Sequence, residues 1–178
     1  MSLAVELRAV SDRPRVGCKG PGAEGWLAGR GISVPSGANR YEVAQSGVLA
    51  GRLATSEFLL EATDRNATQA VESVREQLER GDFPRGVYPV LRQDFVLEIS
   101  GRDVQDLFLQ TCAVDLSPIE KESTADAGPL VLTSMIGVSV VLTCRTLPGG
   151  PRFTVWSDPS YSHYFHSELQ TIVGGLPS

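Results

Sequence analysis

Lysine is nearly absent from this chain of 178 residues. Lys19 and Lys121 are the only two, and arginine supplies the rest of the 16 basic side chains. Asp and Glu number 21, so the formal net charge is −5. With that balance there is no basic field to draw nucleic acid or an anionic membrane surface. Arginine instead favours bidentate pairing with carboxylates, which suits interfaces as well as scattered surface positions. Cysteine is scarce too. Cys18, Cys112 and Cys144 are odd in number, widely separated and without a C-x-x-C pair. This excludes a disulfide framework and a cysteine-rich zinc site, and reads as reduced, buried thiols in a cytoplasmic protein. Long apolar runs are also missing. The strongest, residues 130–142, is too short to span a bilayer and carries Thr and Ser. The N-terminus shows no leader-like pattern. The chain is expected to be cytoplasmic, with neither nucleic acid nor membrane as partner.

What is present suffices for one filled domain, 1–178, or for one domain made of two fused halves. The first half spans about 14–81. A short strand at 15–19 runs into a helix at 21–30, with Pro21 suited to its first position. Strand-like stretches follow at 39–44, 48–53 and 57–62. Ala67, Ala70, Val71, Val74 and Leu78 then recur at helical spacing, with Asn66 and Gln69 placed as a capping box and Gly81 after the last turn. Residues 82–92, with Pro84, Gly86 and Pro89, read as a connector.

The second half spans about 93–174. DFVLEIS (94–100) alternates like a half-buried strand. Val104, Leu107, Phe108 and Cys112 form the stripe of a helix. After a polar loop, 130–134, 136–144 and 152–157 read as strands, with a turn in LPGG (147–150). Asp158 and Pro159 open a final helix whose expected buried face is Tyr161, Tyr164, Phe165, Leu169 and Ile172. Each half therefore reads β-α-β-β-β-α, an α+β fold. Setting Gly20 over Gly101 places Trp26 on Leu107 and Leu27 on Phe108. EFLLE (57–61) falls on RFTVW (152–156), once an insertion around 117–128 is allowed.

Residues 20–25, GPGAEG, spell G-x-G-x-x-G, the pattern of a dinucleotide-binding turn. That turn needs a buried apolar strand before it and a parallel crossover after it. RVGCK is weak as such a strand, the next strands look like hairpins, and the equivalent GRDVQD keeps one glycine. Glu42 lies where a ribose-binding acid would be, at a loose spacing. Glycine-rich helix entry is the preferred reading.

KGPGAEGWLAGRGISVPSGANRY (19–41) resembles the opening of the gamma subunit of heterotetrameric sarcosine oxidase. DFVLEISGRDVQDLFLQTCAVDLSP (94–118) resembles the folate-binding aminomethyltransferase superfamily, which includes the glycine-cleavage T-protein. The matching pattern is a strand, Gly101-x-Asp103, a helix ending in Leu109-Gln110, then Val114-Asp115. IGVSVVLTCRT and FTVWSDPSYSHYFHSEL continue it, so that the resemblance covers about 14–173. It implies a fold of two fused βαβββα halves. It further implies a subunit that is not catalytic by itself, within a complex that oxidatively demethylates sarcosine to glycine. Alpha and beta subunits would be its partners, and FAD, FMN and NAD would belong to them. Self-association of the isolated chain is expected.

In the T-protein, the strand equivalent to 136–144 begins with consecutive carboxylates, one of them catalytic. Here Val138 and Ser139 take about those positions, and residues 127–157 contain no Asp or Glu. Neither side chain supplies charge to a cationic methylene-transfer state. No catalytic residue is assigned. An apolar cleft with a few polar groups would still leave tetrahydrofolate binding open. The competing reading is a stand-alone folate-binding or aminomethyltransferase-like protein, whose carboxylate would come from elsewhere, for instance Asp126 or Glu61. His163 and His166 have a metal-compatible spacing without an evident partner, so no metal is assigned. Asp115 and Glu120-Lys121-Glu122 read as solvated surface. Cys112 reads as core, as do Trp26 and Trp156, which would otherwise be strong interface anchors. No G-x-S-x-G elbow supports serine catalysis.

Overall fold

The computed structural model describes residues 4–176; residues 1–3 and 177–178, the ends of the expected domain 1–178, lie outside the described residues. The chain divides into two units, one formed by Asp12–Gln93 and the other by the remainder. The architecture is α+β. Labels below follow chain order, and β1 (Glu6–Ala9) comes first.

The Asp12–Gln93 unit contains β2 (Arg15–Lys19), α1 (Ala23–Ala28), β3 (Arg40–Val43), β4 (Val48–Ala54), β5 (Glu57–Ala62), α2 (Arg65–Arg80) and β6 (Tyr88–Val90). Its strand order is β3-β4-β5-β2-β6, with antiparallel pairing throughout. The α2 stripe packs Ala67, Val71, Val74 and Leu78 onto Val16, Cys18, Ala50, Phe58 and Leu60. Asp64, not the expected Asn66, caps this helix. Its backbone is extended, and its carboxylate accepts from the Asn66 and Ala67 amides at 2.8 and 3.0 Å. Gly81 ends the helix in the left-handed conformation, at φ 78°.

The other unit contains β7 (Phe95–Ser100), α3 (Val104–Thr111), α4 (Ser117–Glu122), β8 (Ala127–Met135), β9 (Val138–Leu147), β10 (Gly150–Ser157), a 3-10 turn (Pro159–Tyr161) and α5 (Ser162–Gly174). Its order is β8-β9-β10-β7-β1, again antiparallel. Phe108 on α3 meets Phe153 on β10 edge to face, with centroids 4.7 Å apart. Phe165 and Leu169 of α5 close the same core. Tyr161 and Tyr164, expected on that buried face, are instead about half exposed, at 50% and 47%. Ile136, expected to open β9, lies with Gly137 in the hairpin turn, at φ 45° and 79°. A β-branched residue there is strained. Its amide donates to the Thr111 carbonyl at 2.7 Å, and its carbonyl accepts from Tyr164 Oη at 3.1 Å.

The two strand orders match position for position. β3, β4, β5 and β2 correspond to β8, β9, β10 and β7. Phe58 and Phe153, paired by the sequence repeat, each fill their own core. The outer strands add a feature beyond the expected β-α-β-β-β-α pattern. β1 precedes β2 along the chain but pairs with β7, and β6 precedes β7 but pairs with β2. Each repeat sends its leading strand to the sheet of the other. The segment expected to be a plain connector, 82–92, thus contains a strand.

Gly20 and Gly101 make the equivalent joint in each unit. Their φ values are 115° and 132°, and an added Cβ would lie 2.3 Å from the Gly86 carbonyl oxygen and 2.4 Å from that of Ala4. Two residues after each glycine, Gly22 N donates to Gly86 O and Asp103 N to Ala4 O, both at 2.9 Å. The accepting carbonyl in each case lies just ahead of an exchanged strand. Gly101→Ala combines a left-handed backbone with a backbone collision, so it is expected to destabilise the chain by about 3 kcal/mol, read as the loss in urea unfolding free energy.

Candidate functional site

The GPGAEG turn leads from β2 into α1. A phosphate cradle requires helix N-terminal amides free to meet an anion. Here Gly20 N donates to Ser56 O at 2.9 Å, Gly22 N to Gly86 O at 2.9 Å, and Ala23 N to Gly20 O at 3.0 Å. These donors are satisfied by the protein itself. The helix begins at Ala23, so Pro21 lies in the turn and not at the first helical position. β2 pairs antiparallel with both its neighbours, so no parallel crossover follows. The last glycine of the motif, Gly25, has open space where a Cβ would stand. The close helix packing that a dinucleotide turn asks of that glycine is absent.

At the start of β9, Val138 is buried and Ser139 exposed. β8, β9 and β10 carry no carboxylate, and neither does β4, the strand equivalent to β9 in the other unit. Glu61, one of the substitute acids, is buried and paired with Arg15 at 3.1 Å and Arg13 at 3.8 Å. Arg15 and Glu61 are cross-strand neighbours in the β2–β5 ladder, so this carboxylate is built into the sheet. Asp126, the other, is exposed on the turn before β8 and belongs to the other unit.

His163 is exposed, and His166 lies 6.3 Å from the Phe95 ring in a tilted arrangement. Among the described residues no group of three or more His, Cys, Asp and Glu is placed to hold a metal ion. Asp115 accepts from Ser117 N and Oγ at 2.9 and 3.0 Å, and these bonds lower its pKa. Glu120 accepts from Gln105 Nε2 at 2.6 Å. The acidic loop is thus partly organised into α4. Trp26 and Trp156 are buried, and Arg30 stacks 3.9 Å above the Trp26 ring. Cys112, expected inside the α3 stripe, instead ends that helix, half-buried against the core. No helix among the described residues is long and apolar enough to cross a membrane.

No family model and no curated protein matches the sequence. Solved structures do match in shape. Heterotetrameric sarcosine oxidase from Corynebacterium sp. U-96, solved with pyrrole 2-carboxylate, gives a TM-score of 0.69 at 22% identity, over 96% of this chain and 84% of that one. The glycine cleavage system aminomethyltransferase T from Bartonella henselae gives 0.62 at 16% identity, over 93% of this chain. This chain has the aminomethyltransferase-type fold. It spans 45% of the length of the Bartonella protein.

Two glycines of the GPGAEG motif should respond in opposite directions. Gly20→Ala should destabilise the chain about as much as Gly101→Ala. Gly25→Ala, helical and unobstructed, should stabilise it by about 0.5–1 kcal/mol, visible as a higher Tm. The thiols supply a pH test. Burial pushes Cys18 up to about 11, and burial with the nearby Glu120 charge pushes Cys144 to about 12. Both should resist iodoacetamide in the native chain at pH 8. An unfolded thiol ionises near about 8.5, while the folded ones hold their protons. The stabilisation is therefore full below that pH and declines as pH rises toward the folded values. Denaturant midpoints at rising alkaline pH check it, with Cys18→Ala/Cys144→Ala as control.

Proposed function

We propose that this chain is a non-catalytic, gamma-type subunit of a cytoplasmic sarcosine-oxidase-like flavoenzyme complex. Alpha and beta partners carry the flavins and NAD and perform the oxidative demethylation of sarcosine to glycine. The observation that carries this reading is one of length. The fold runs through 84% of a heterotetrameric sarcosine oxidase chain but only 45% of the aminomethyltransferase, so it matches nearly a whole subunit of the former.

Two features support it. The strands β4 and β8–β10 hold no carboxylate to steady a cationic one-carbon transfer state. Leu109 and Val114, within the stretch that carries the family resemblance, are 74% and 44% exposed. The fold does not need them in water, and a partner that covered them would gain roughly 25 cal/mol for each Å² of apolar surface.

Co-expression with alpha and beta chains of a sarcosine oxidase operon tests the proposal. A stoichiometric complex is expected on size exclusion, with no sarcosine oxidation by this chain alone. Leu109→Asp should weaken the complex without lowering the Tm of the isolated chain. Failure to co-elute with such partners contradicts the proposal. Tight calorimetric binding of tetrahydrofolate to the isolated chain would favour the stand-alone folate-binding reading instead.

A further inference from the structure

The sheet built on β7–β10 ends on β1, and among the described residues no strand lies along the outer edge of β1. Antiparallel ladders alternate between pairs that exchange hydrogen bonds and pairs that do not. Val10 N donates to Val96 O at 2.9 Å, in step with the β1–β7 register. Arg8 with Glu98 and Glu6 with Ser100 are therefore the bonded pairs. Leu7 and Ala9 stand opposite Ile99 and Leu97 as non-bonded pairs, so their N–H and C=O groups point away from β7. Such a row is a template for another strand, and sheet edges commonly resist it with proline or charge. β6, the outer strand of the other sheet, carries Pro89. β1 has no proline, and its two exposed charges, Glu6 and Arg8, are of opposite sign.

We propose that β1 is the contact of a symmetric dimer, in which a second copy of this chain adds its own β1 antiparallel across a two-fold axis. The sequence decides the register. The outward groups belong to odd-numbered residues, so the axis falls at Glu6, Leu7 or Arg8. An axis at Glu6 sets that acid against itself, and an axis at Arg8 does the same to the guanidinium; like charges directly opposite are destabilising. An axis at Leu7 sets Glu6 against Arg8 of the second copy, and Arg8 against its Glu6. These are non-bonded pairs, the kind whose side chains come closest. Glu98 accepts from Arg8 Nε at 3.2 Å, yet the Arg8 side chain is 53% exposed, so the incoming Glu6 meets a guanidinium already fixed in place. Leu7 exchanges both backbone bonds with Leu7 of the second copy, and Ala9 falls opposite its Val5, just ahead of the strand. The Leu7 side chain packs against the core and gains its own counterpart as a neighbour. A closed two-fold pair occupies both β1 edges, so association stops at two. The proposal uses a different surface from Leu109 and Val114 and stands whether or not the chain assembles with flavin-bearing partners.

Sedimentation velocity on the full chain should show a monomer–dimer equilibrium that weakens with added salt, because the charge pairs are exposed. Ala9→Pro removes an outward donor at an exposed edge position and leaves the β1–β7 bonds in place. Glu6→Arg sets like charges opposite each other. Each should raise the dimer dissociation constant about tenfold without lowering the Tm of the monomer. Hydrogen exchange adds a readout that needs no variant. The Leu7 and Ala9 amides should exchange freely in dilute chain and be protected in concentrated chain, whereas the Arg8 amide should be protected in both. A chain that stays monomeric up to about 1 mM, a dimer unchanged by both variants, or exchange at Leu7 and Ala9 that ignores concentration would each overturn the proposal. So would a dimer dissolved by Leu109→Asp and untouched by Glu6→Arg, which would put self-association on the Leu109 surface.

Discussion

Two backbone hydrogen bonds organise this molecule: Gly22 N to Gly86 O, and Asp103 N to Ala4 O. Each joins the turn after a repeat's first core strand to the residue ahead of an exchanged outer strand. Only glycine fits at positions 20 and 101, because any Cβ would strike the carbonyl being held. Neither sheet is complete without a strand that belongs, in sequence, to the other repeat. Folding must therefore close long loops before those outer pairings form, which is the condition for slow folding. In a glycine motif with the spelling of a nucleotide turn, the same joint engages with protein carbonyls the amides that such a turn would offer to phosphate.

The arginine-for-lysine bias also has an internal reason. A guanidinium can hold several acceptors in a fixed fork. Arg52 donates to Glu24 and to the carbonyls of Pro35, Ser36 and Thr55 while lying over the Phe58 ring. Arg15 and Arg13 share Glu61, and Arg8 and Arg152 share Glu98. These buried or half-buried carboxylates stitch neighbouring strands together, and breaking such a pair from one side leaves a charge uncompensated. Glu61 and Glu98 are thus structural.

Strong periodicity made the cores legible in sequence. The stripe of α2 and the Trp26/Leu107 and Leu27/Phe108 equivalences follow from burial on one face, whereas β7, expected to be half-buried, puts Leu97 and Ile99 in the core and buries Val96 and Glu98 on its other face as well. Elements defined by tertiary pairing were hidden. β1 and β6 are short, largely exposed outer strands, and nothing in ELRA or YPV announces a partner some 90 residues or 70 residues away. The six-residue α4 lay inside a polar stretch that looked like a loop insertion. Ile136 belongs in a strand by propensity, yet the turn holds it at positive φ. The absence of acid on β9 was readable at once.

Native-state hydrogen exchange at the Gly22 and Asp103 amides tests the organising role of the two joints most directly. If they hold the exchanged strands, both amides should exchange only through global unfolding, with the same free energy as the centres of β5 and β10. They should keep that protection regardless of added nucleotide or phosphate. Exchange at the rate of an open loop, or protection that appears only when an anion is added, would contradict the account.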